Sequence, residues 1–146
     1  VAFQQVTLEQ FDQAVQTAEE ALDLARGSGD KRTEAMAMQL LGEVSRSCGQ
    51  AEEALDAFLH ARTLFQEACD VPGEATVLEL VVDIHKNQNQ DTKAQQSLDE
   101  QQRIYHQAGW TEKEAQALLS MAKVLIKNRG TIRAVEKARE AIALFR

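Results

Sequence analysis

The sequence predicts an all-α fold, an α-solenoid of about seven helices packed as antiparallel hairpins, and three observations predict it. Like residues return every forty positions: Ala14, Ala54, Ala94 and Ala134 form one series, and Glu34-Ala35, Glu74-Ala75 and Glu114-Ala115 form another. A fixed period of roughly twenty to fifty residues marks a repeat architecture, in which each unit buries its apolar face on its neighbour. Composition agrees, with 22 alanines in 146 residues against five Phe, one Trp, one Tyr and one Pro. Alanine loses no rotamer entropy in a helix and lets another backbone come close, so such a chain suits packed helices rather than strands. Finally, short glycine, proline or asparagine breaks separate the periodic stretches.

Residues 1–8 read as the remnant of a preceding helix or a disordered lead-in. From Glu9 to about Arg26, Phe11, Ala14, Val15, Ala18, Ala21, Leu22 and Ala25 recur at threes and fours, the helical period, until Gly27–Asp30 stops them. A second helix runs from about Lys31 to Cys48, with Ala35, Met38, Leu41, Gly42 and Ser45 along one stripe and Gly49 just past its end. The third, about Ala51 to Cys69, carries Ala54, Leu55, Phe58, Ala61, Leu64, Phe65 and Ala68, and Pro72 breaks the chain behind it. The fourth, about Gly73 to Lys86, presents Ala75, Leu78, Val81, Val82 and His85 for packing. In the fifth, about Asp91 to Ala108, the apolar stripe thins to Ala94, Leu98, Ile104 and Tyr105, with Gln101 where the earlier unit has Ala61. The sixth, about Thr111 to Asn128, holds Ala115, Leu118, Met121, Ala122 and Leu125; the seventh, about Ile132 to Arg146, holds Ala134, Ala138, Ala141, Ile142 and Phe145. Short links between them imply antiparallel neighbours.

The domain reading is a single array over 1–146, a piece of a longer one: an unpaired second helix at about 9–28, then repeats at 31–69, 73–109 and 112–146. A formal charge of −7 disfavours nucleic acid, because nothing here neutralises a run of phosphates. No apolar run approaches the roughly 20 residues of a membrane helix, and no signal-peptide pattern opens the chain. Cys48 and Cys69 occupy different repeat positions without a CxxC pair, so they read as small buried or half-buried thiols in a reducing, cytoplasmic setting rather than as zinc ligands.

These residues carry a family resemblance. Leu41-Gly42 followed by Ala54, Phe58 and Ala61 resembles the tetratricopeptide repeat, with Met38 and Ser45 in place of its Trp and Tyr. The next unit departs further, with Val81-Val82, His85, Ala94, Leu98 and Gln101; the last has Met121-Ala122, Leu125, Ala134, Ala138 and Ala141. The period of 40 rather than the commoner 34, and Gly29-Asp30 before Glu34-Ala35, are similar to the longer-helix subset of Pins-type scaffolds and kinesin light chain. The resemblance implies a right-handed solenoid whose first helices line a concave, partner-binding groove.

Helix geometry then sorts the first helices by face, each residue turning the side chain by about 100°. Off the packing stripe lie Met36, Gln39, Glu43 and Arg46; Thr76, Glu79, Asp83 and Lys86; and Gln116, Leu119, Lys123, Ile126 and Lys127. A peptide or protein partner is expected along these residues, basic where it meets Glu79 and Asp83 and apolar near Leu119 and Ile126. The peptide-carboxylate clamp of some family members wants Lys and Asn where Gln39 and Glu43 stand, so the resemblance does not extend to it. No cofactor, metal site or enzymatic centre is expected: His60, His85 and His106 sit on three helices, and no phosphate loop or nucleophile with a positioned base appears. The alternative is a structural spacer or a unit that self-associates through its ends.

Overall fold

The computed structural model describes residues 2–145, with side chains from residue 10 onward. Those residues form seven α-helices and no strand: α1 (Ala2–Ser28), α2 (Lys31–Ser47), α3 (Ala51–Glu67), α4 (Val71–Asn87), α5 (Asp91–Ala108), α6 (Thr111–Lys127) and α7 (Thr131–Leu144). Two starts differ from the sequence reading. Helix α1 already runs at Ala2, so 2–8 are helix rather than a separate lead-in, and Val1 lies outside the described residues. Helix α4 starts two residues before Gly73, with Pro72 in its first turn, where a missing N–H costs nothing. Asp70 makes that start, its carboxylate accepting the Gly73 N–H at 3.0 Å and its carbonyl accepting the Glu74 N–H at 3.0 Å.

From α2 on, every helix begins twenty residues after the one before, at 31, 51, 71, 91, 111 and 131. The turns explain this regularity. The N–H groups of Gln50, Asp70, Gln90, Trp110 and Gly130 each bond the carbonyl five residues back, at 2.8–3.0 Å. The residue just before each is left-handed: Gly49 (φ 77°), Cys69 (55°), Asn89 (56°), Gly109 (71°) and Arg129 (60°). This is the Schellman closure of a helix C-terminus, and the residue that completes it also caps the next helix. Both cysteines fall in these turns and are exposed, which corrects the expectation of buried thiols: the helices they were assigned to end before them, at Ser47 and Glu67.

Two compact units form, residues 1–77 and 78–146. In the first, α2 packs on α1 and α3, burying Ala18, Leu22, Ala25, Ala35, Met38, Gly42, Ala54, Leu55, Phe58, Ala61, Leu64 and Phe65. A Cβ on Gly42 would stand 2.6 Å from Phe58 Cε1, and Gly73 faces the Phe65 ring with as little room, so both rings lie directly on helix backbone. In the second, α6 packs on α5 and α7 around Val82, Leu98, Ala115, Leu118, Met121, Val124 and Ala141, with Ala122, Leu125 and Ala134 as a smaller cluster. Side-chain sizes differ at equivalent places: Gly42 lies against Phe58, Val82 shares a cluster with Leu98, and Ala138 packs on the cluster of Ala122. Ala54, Ala94 and Ala134 are all nearly inaccessible, at 0, 0 and 3 % exposure.

The glutamates of the Glu-Ala series tie each first helix to the one before it. Glu34 accepts from Arg26 Nε at 3.3 Å, Glu74 from Gln66 Nε2 at 2.6 Å, and Glu114 has His106 Nδ1 at 3.0 Å; the partner lies eight residues back each time. Arg62 Nε at 3.2 Å from Glu74 and Gln102 Nε2 at 2.7 Å from Glu114 add a second donor twelve residues back. A series visible in the sequence thus has a repeated structural task.

Two stability changes follow. Gly42→Ala is expected to lose about 1–3 kcal/mol in urea unfolding, because the buried Phe58 ring cannot yield to the new methyl. Arg129→Gly is expected to gain up to about 1 kcal/mol by the same measurement, since the left-handed backbone there costs a residue with a Cβ about 1–2 kcal/mol and the glycine's unfolded-state entropy returns only part of it.

Candidate functional site

The second unit contains a concavity of about 210 Å³ walled by α4 and α6 and floored by α5. Glu79, Asp83 and Lys86 come from α4, one turn apart, because their spacing of three to four puts them on one helix face. Lys113, Gln116 and Ser120 come from α6 on the same principle. Gln101 and Tyr105 rise from α5 between them.

The floor is a chain of polar contacts inside an otherwise apolar layer. Gln101, 5 % exposed, donates from Nε2 to the Tyr105 hydroxyl at 3.0 Å, and that hydroxyl donates to Glu79 Oε1. Lys113 Nζ stands 3.6 Å from the same Glu79 oxygen, 5.6 Å above the Tyr105 ring and 5.4 Å above the Trp110 ring. Both partners of the ion pair are about half exposed, so it is worth under about 1 kcal/mol, and the two aromatic faces also attract the ammonium. Burial, and then the hydrogen bond and negative charge of Glu79, push the Tyr105 phenol well above its usual range.

The residues named from sequence separate into groups. Glu79, Asp83, Lys86 and Gln116 meet in this concavity. Glu79 is already engaged, whereas Asp83 and Lys86 make no hydrogen bond or ion pair among the described residues. Leu119, Lys123 and Ile126 are exposed on the flank of α6 outside it, Leu119 at 40 % and Ile126 at 59 %. Lys127 instead reaches the start of α5, at 2.9 Å from Asn89 Oδ1 and 3.1 Å from Asp91 Oδ1. In the first unit, Gln39 donates to Glu43 at 2.9 Å, Arg46 is exposed, and the Thr76 hydroxyl bonds the Pro72 carbonyl at 2.9 Å.

Sequence reasoning missed Gln101, Tyr105, Lys113 and Ser120. The signal for the first two was available: Gln101 interrupts a series of alanines about one turn before the chain's single tyrosine, and a polar pair at i, i+4 in a packing stripe needs partners. Of the histidines, His60 is exposed on α3, His85 is buried with Nδ1 3.0 Å from Gln90 Oε1, and His106 serves Glu114. No group of three His, Cys, Asp or Glu among the described residues is placed to hold a metal ion. No described helix is long and apolar enough to cross a membrane.

Helix order, turn geometry and repeat define an all-α helical-repeat protein with the tetratricopeptide-like fold. Solved structures share it. BtubC (BKLC) from P. vanneervenii is 18 % identical with a TM-score of 0.70, over 92 % of this chain and 57 % of its own. The nearly identical TPR-like repeats of a Podospora anserina kinesin light chain are 15 % identical with a TM-score of 0.69, over 94 % of this chain and 68 % of their own. Aspartyl phosphate phosphatase F from Bacillus subtilis is 14 % identical with a TM-score of 0.67, over 97 % of this chain and 46 % of its own. The chain therefore spans little more than half of BtubC and less than half of the phosphatase, and at these identities the likeness is one of fold. No family model and no curated protein matches it.

The lone tyrosine makes the floor testable. Tyr105 is expected to stay protonated in the folded protein through pH 10–11, where a free phenol ionises, as read by ultraviolet absorbance. Its folded pKa lies above the unfolded one, so the stability it contributes is complete below about pH 10 and is lost as pH rises beyond that.

Proposed function

We propose that this chain is a protein-interaction module of a larger scaffold, and that the concavity of the second unit receives an extended peptide segment. The observation that carries this reading is a carboxylate left without a partner in a preformed hollow: Asp83, beside Gln116 and Ser120, which can bond a peptide backbone. Glu79 is held by Tyr105 and Lys113, so it shapes the wall, and the basic side chain of the ligand goes to Asp83. Leu119 and Ile126, on the neighbouring flank of α6, offer the apolar anchor. The reading involves no cofactor, metal or catalytic step, and the partner is a protein rather than nucleic acid, given the charge of −7. Two exposed, unpaired cysteines suit a reducing, cytoplasmic setting.

A second reading, self-association, is favoured by α7 and the residue that ends it, since Ile132, Ile142 and Phe145 are 79, 54 and 64 % exposed. Sedimentation velocity over a wide concentration range separates the two, since a peptide receptor stays one species.

Selection of displayed peptides on the purified protein is expected to enrich Lys- or Arg-bearing sequences with an apolar neighbour. Asp83→Lys should weaken the selected peptides about tenfold or more, with affinity falling as salt rises. An unselective library, or selected peptides indifferent to Asp83→Lys, would falsify the groove assignment.

A further inference from the structure

The first unit has its own hollow, about 400 Å³, between α1, α2 and α3. One residue lining it is a small side chain at a repeated position. Residues 45, 85 and 125 are equivalent, and they are Ser, His and Leu. His85 is buried and lies 3.0 Å from Gln90 Oε1, and Leu125 is 5 % exposed in a cluster with Ala122 and Ala134. Ser45 is too short to do either. It is 8 % exposed, lines the hollow, and its hydroxyl has no hydrogen bond among the described residues; Gln50, the counterpart of Gln90, has none either. Leu41 is consequently half-buried, whereas its counterparts Val81 and Met121 are 2 and 1 % exposed.

The walls beside Ser45 are apolar, from Val15, Leu41 and Ala57, with Phe11 at the edge. Around them stand three carboxylates, Asp12, Glu19 and Glu53, none with an ion pair or hydrogen bond among the described residues. Unneutralised acids around an apolar hollow with an unbonded hydroxyl on its wall complement one kind of ligand: an apolar side chain flanked by positive charge. Leu41 and Ser45 lie about 200° around α2 from Gln39 and Glu43, so this hollow is separate from the face that carries the sequence-named residues.

We propose that this hollow docks a cationic amphipathic helix of a partner protein, one apolar side chain occupying the space that His85 and Leu125 fill at the equivalent places and Lys or Arg residues reaching Asp12, Glu19 and Glu53. The site is independent of the concavity in the second unit.

The test uses the whole chain and two synthetic 18-residue helical peptides, one of Leu and Lys and one in which every Lys is Glu. The Leu–Lys peptide should bind, measured by fluorescence anisotropy, with amide NMR shifts in α1–α3, and the Leu–Glu peptide should not. Ser45→His, which restores the arrangement of His85 and Gln90 without adding an acid or removing one, should weaken binding at least about tenfold with circular dichroism unchanged. Asp12→Lys with Glu53→Lys should do the same, and Asp99→Lys, at an exposed acid of α5 that lines neither hollow, should change nothing. If Ser45→His does not fold, the double charge reversal decides alone. α1–α3 shifts that survive either variant, no shifts in α1–α3, or equal binding of the Leu–Glu peptide would overturn the proposal, whereas further shifts in α4–α6 would bear only on the concavity of the second unit.

Discussion

The turn that joins one helix to the next sets the register in which side chains meet. Each of the five turns after α2 needs one left-handed residue, and the residue that follows bonds back to the last helical turn while opening the next helix. Because one residue ends a helix and starts another, the turn length cannot drift without losing a bond at both ends. Helix starts at strict intervals of twenty are the result, and the forty-residue period of the sequence is two such intervals, one for each helix of a hairpin. Glycine meets the left-handed requirement at 49 and 109 without steric cost; Cys69, Asn89 and Arg129 meet it with a Cβ, so the constraint belongs to the position rather than to glycine.

Once register is fixed, packing becomes a matter of matching sizes at paired positions. Phe58 is accommodated because residue 42 has no Cβ; at the equivalent places Val82 and Leu98 share one cluster and Ala122 and Ala138 another. The same fixed register lets a glutamate find its donor every forty residues although the donor changes from Arg26 to Gln66 to His106. Geometry is kept while chemistry varies, which is why the repeat is plain in structure while no single motif is strong in sequence.

Periodicity made the fold legible: seven helices, their approximate bounds and most of the core follow from apolar residues at threes and fours. What it did not give has identifiable causes. Pro72 looked like a break because proline is costly within a helix, but Asp70 caps just ahead of it and places it in the first turn. A second buried stripe on the first helices, Ala37, Val77 and Ala117, was overlooked although it also steps by forty; sorting by one packing face per helix hid it. The candidate site was half legible. Helix phase gathers Glu79, Asp83 and Lys86 correctly on one face, but no local rule shows that Tyr105, 26 residues away, takes Glu79, or that Lys127 turns to Asn89 and Asp91.

Each hollow is lined by a residue at which a repeated position departs from its series, and the departures differ in kind. At 61, 101 and 141 the residues are Ala, Gln and Ala, all buried; the glutamine brings a polar group into the layer, and Tyr105 and Glu79 are arranged around it to satisfy that group. At 45, 85 and 125 the departure is one of volume, and nothing within the described residues refills the space over Ser45. A departure that is satisfied from within shapes a wall. One that is left open keeps unpaired groups at the surface, and those groups, Asp83 in one hollow and Ser45 with its ring of carboxylates in the other, are where a partner gains most by arriving.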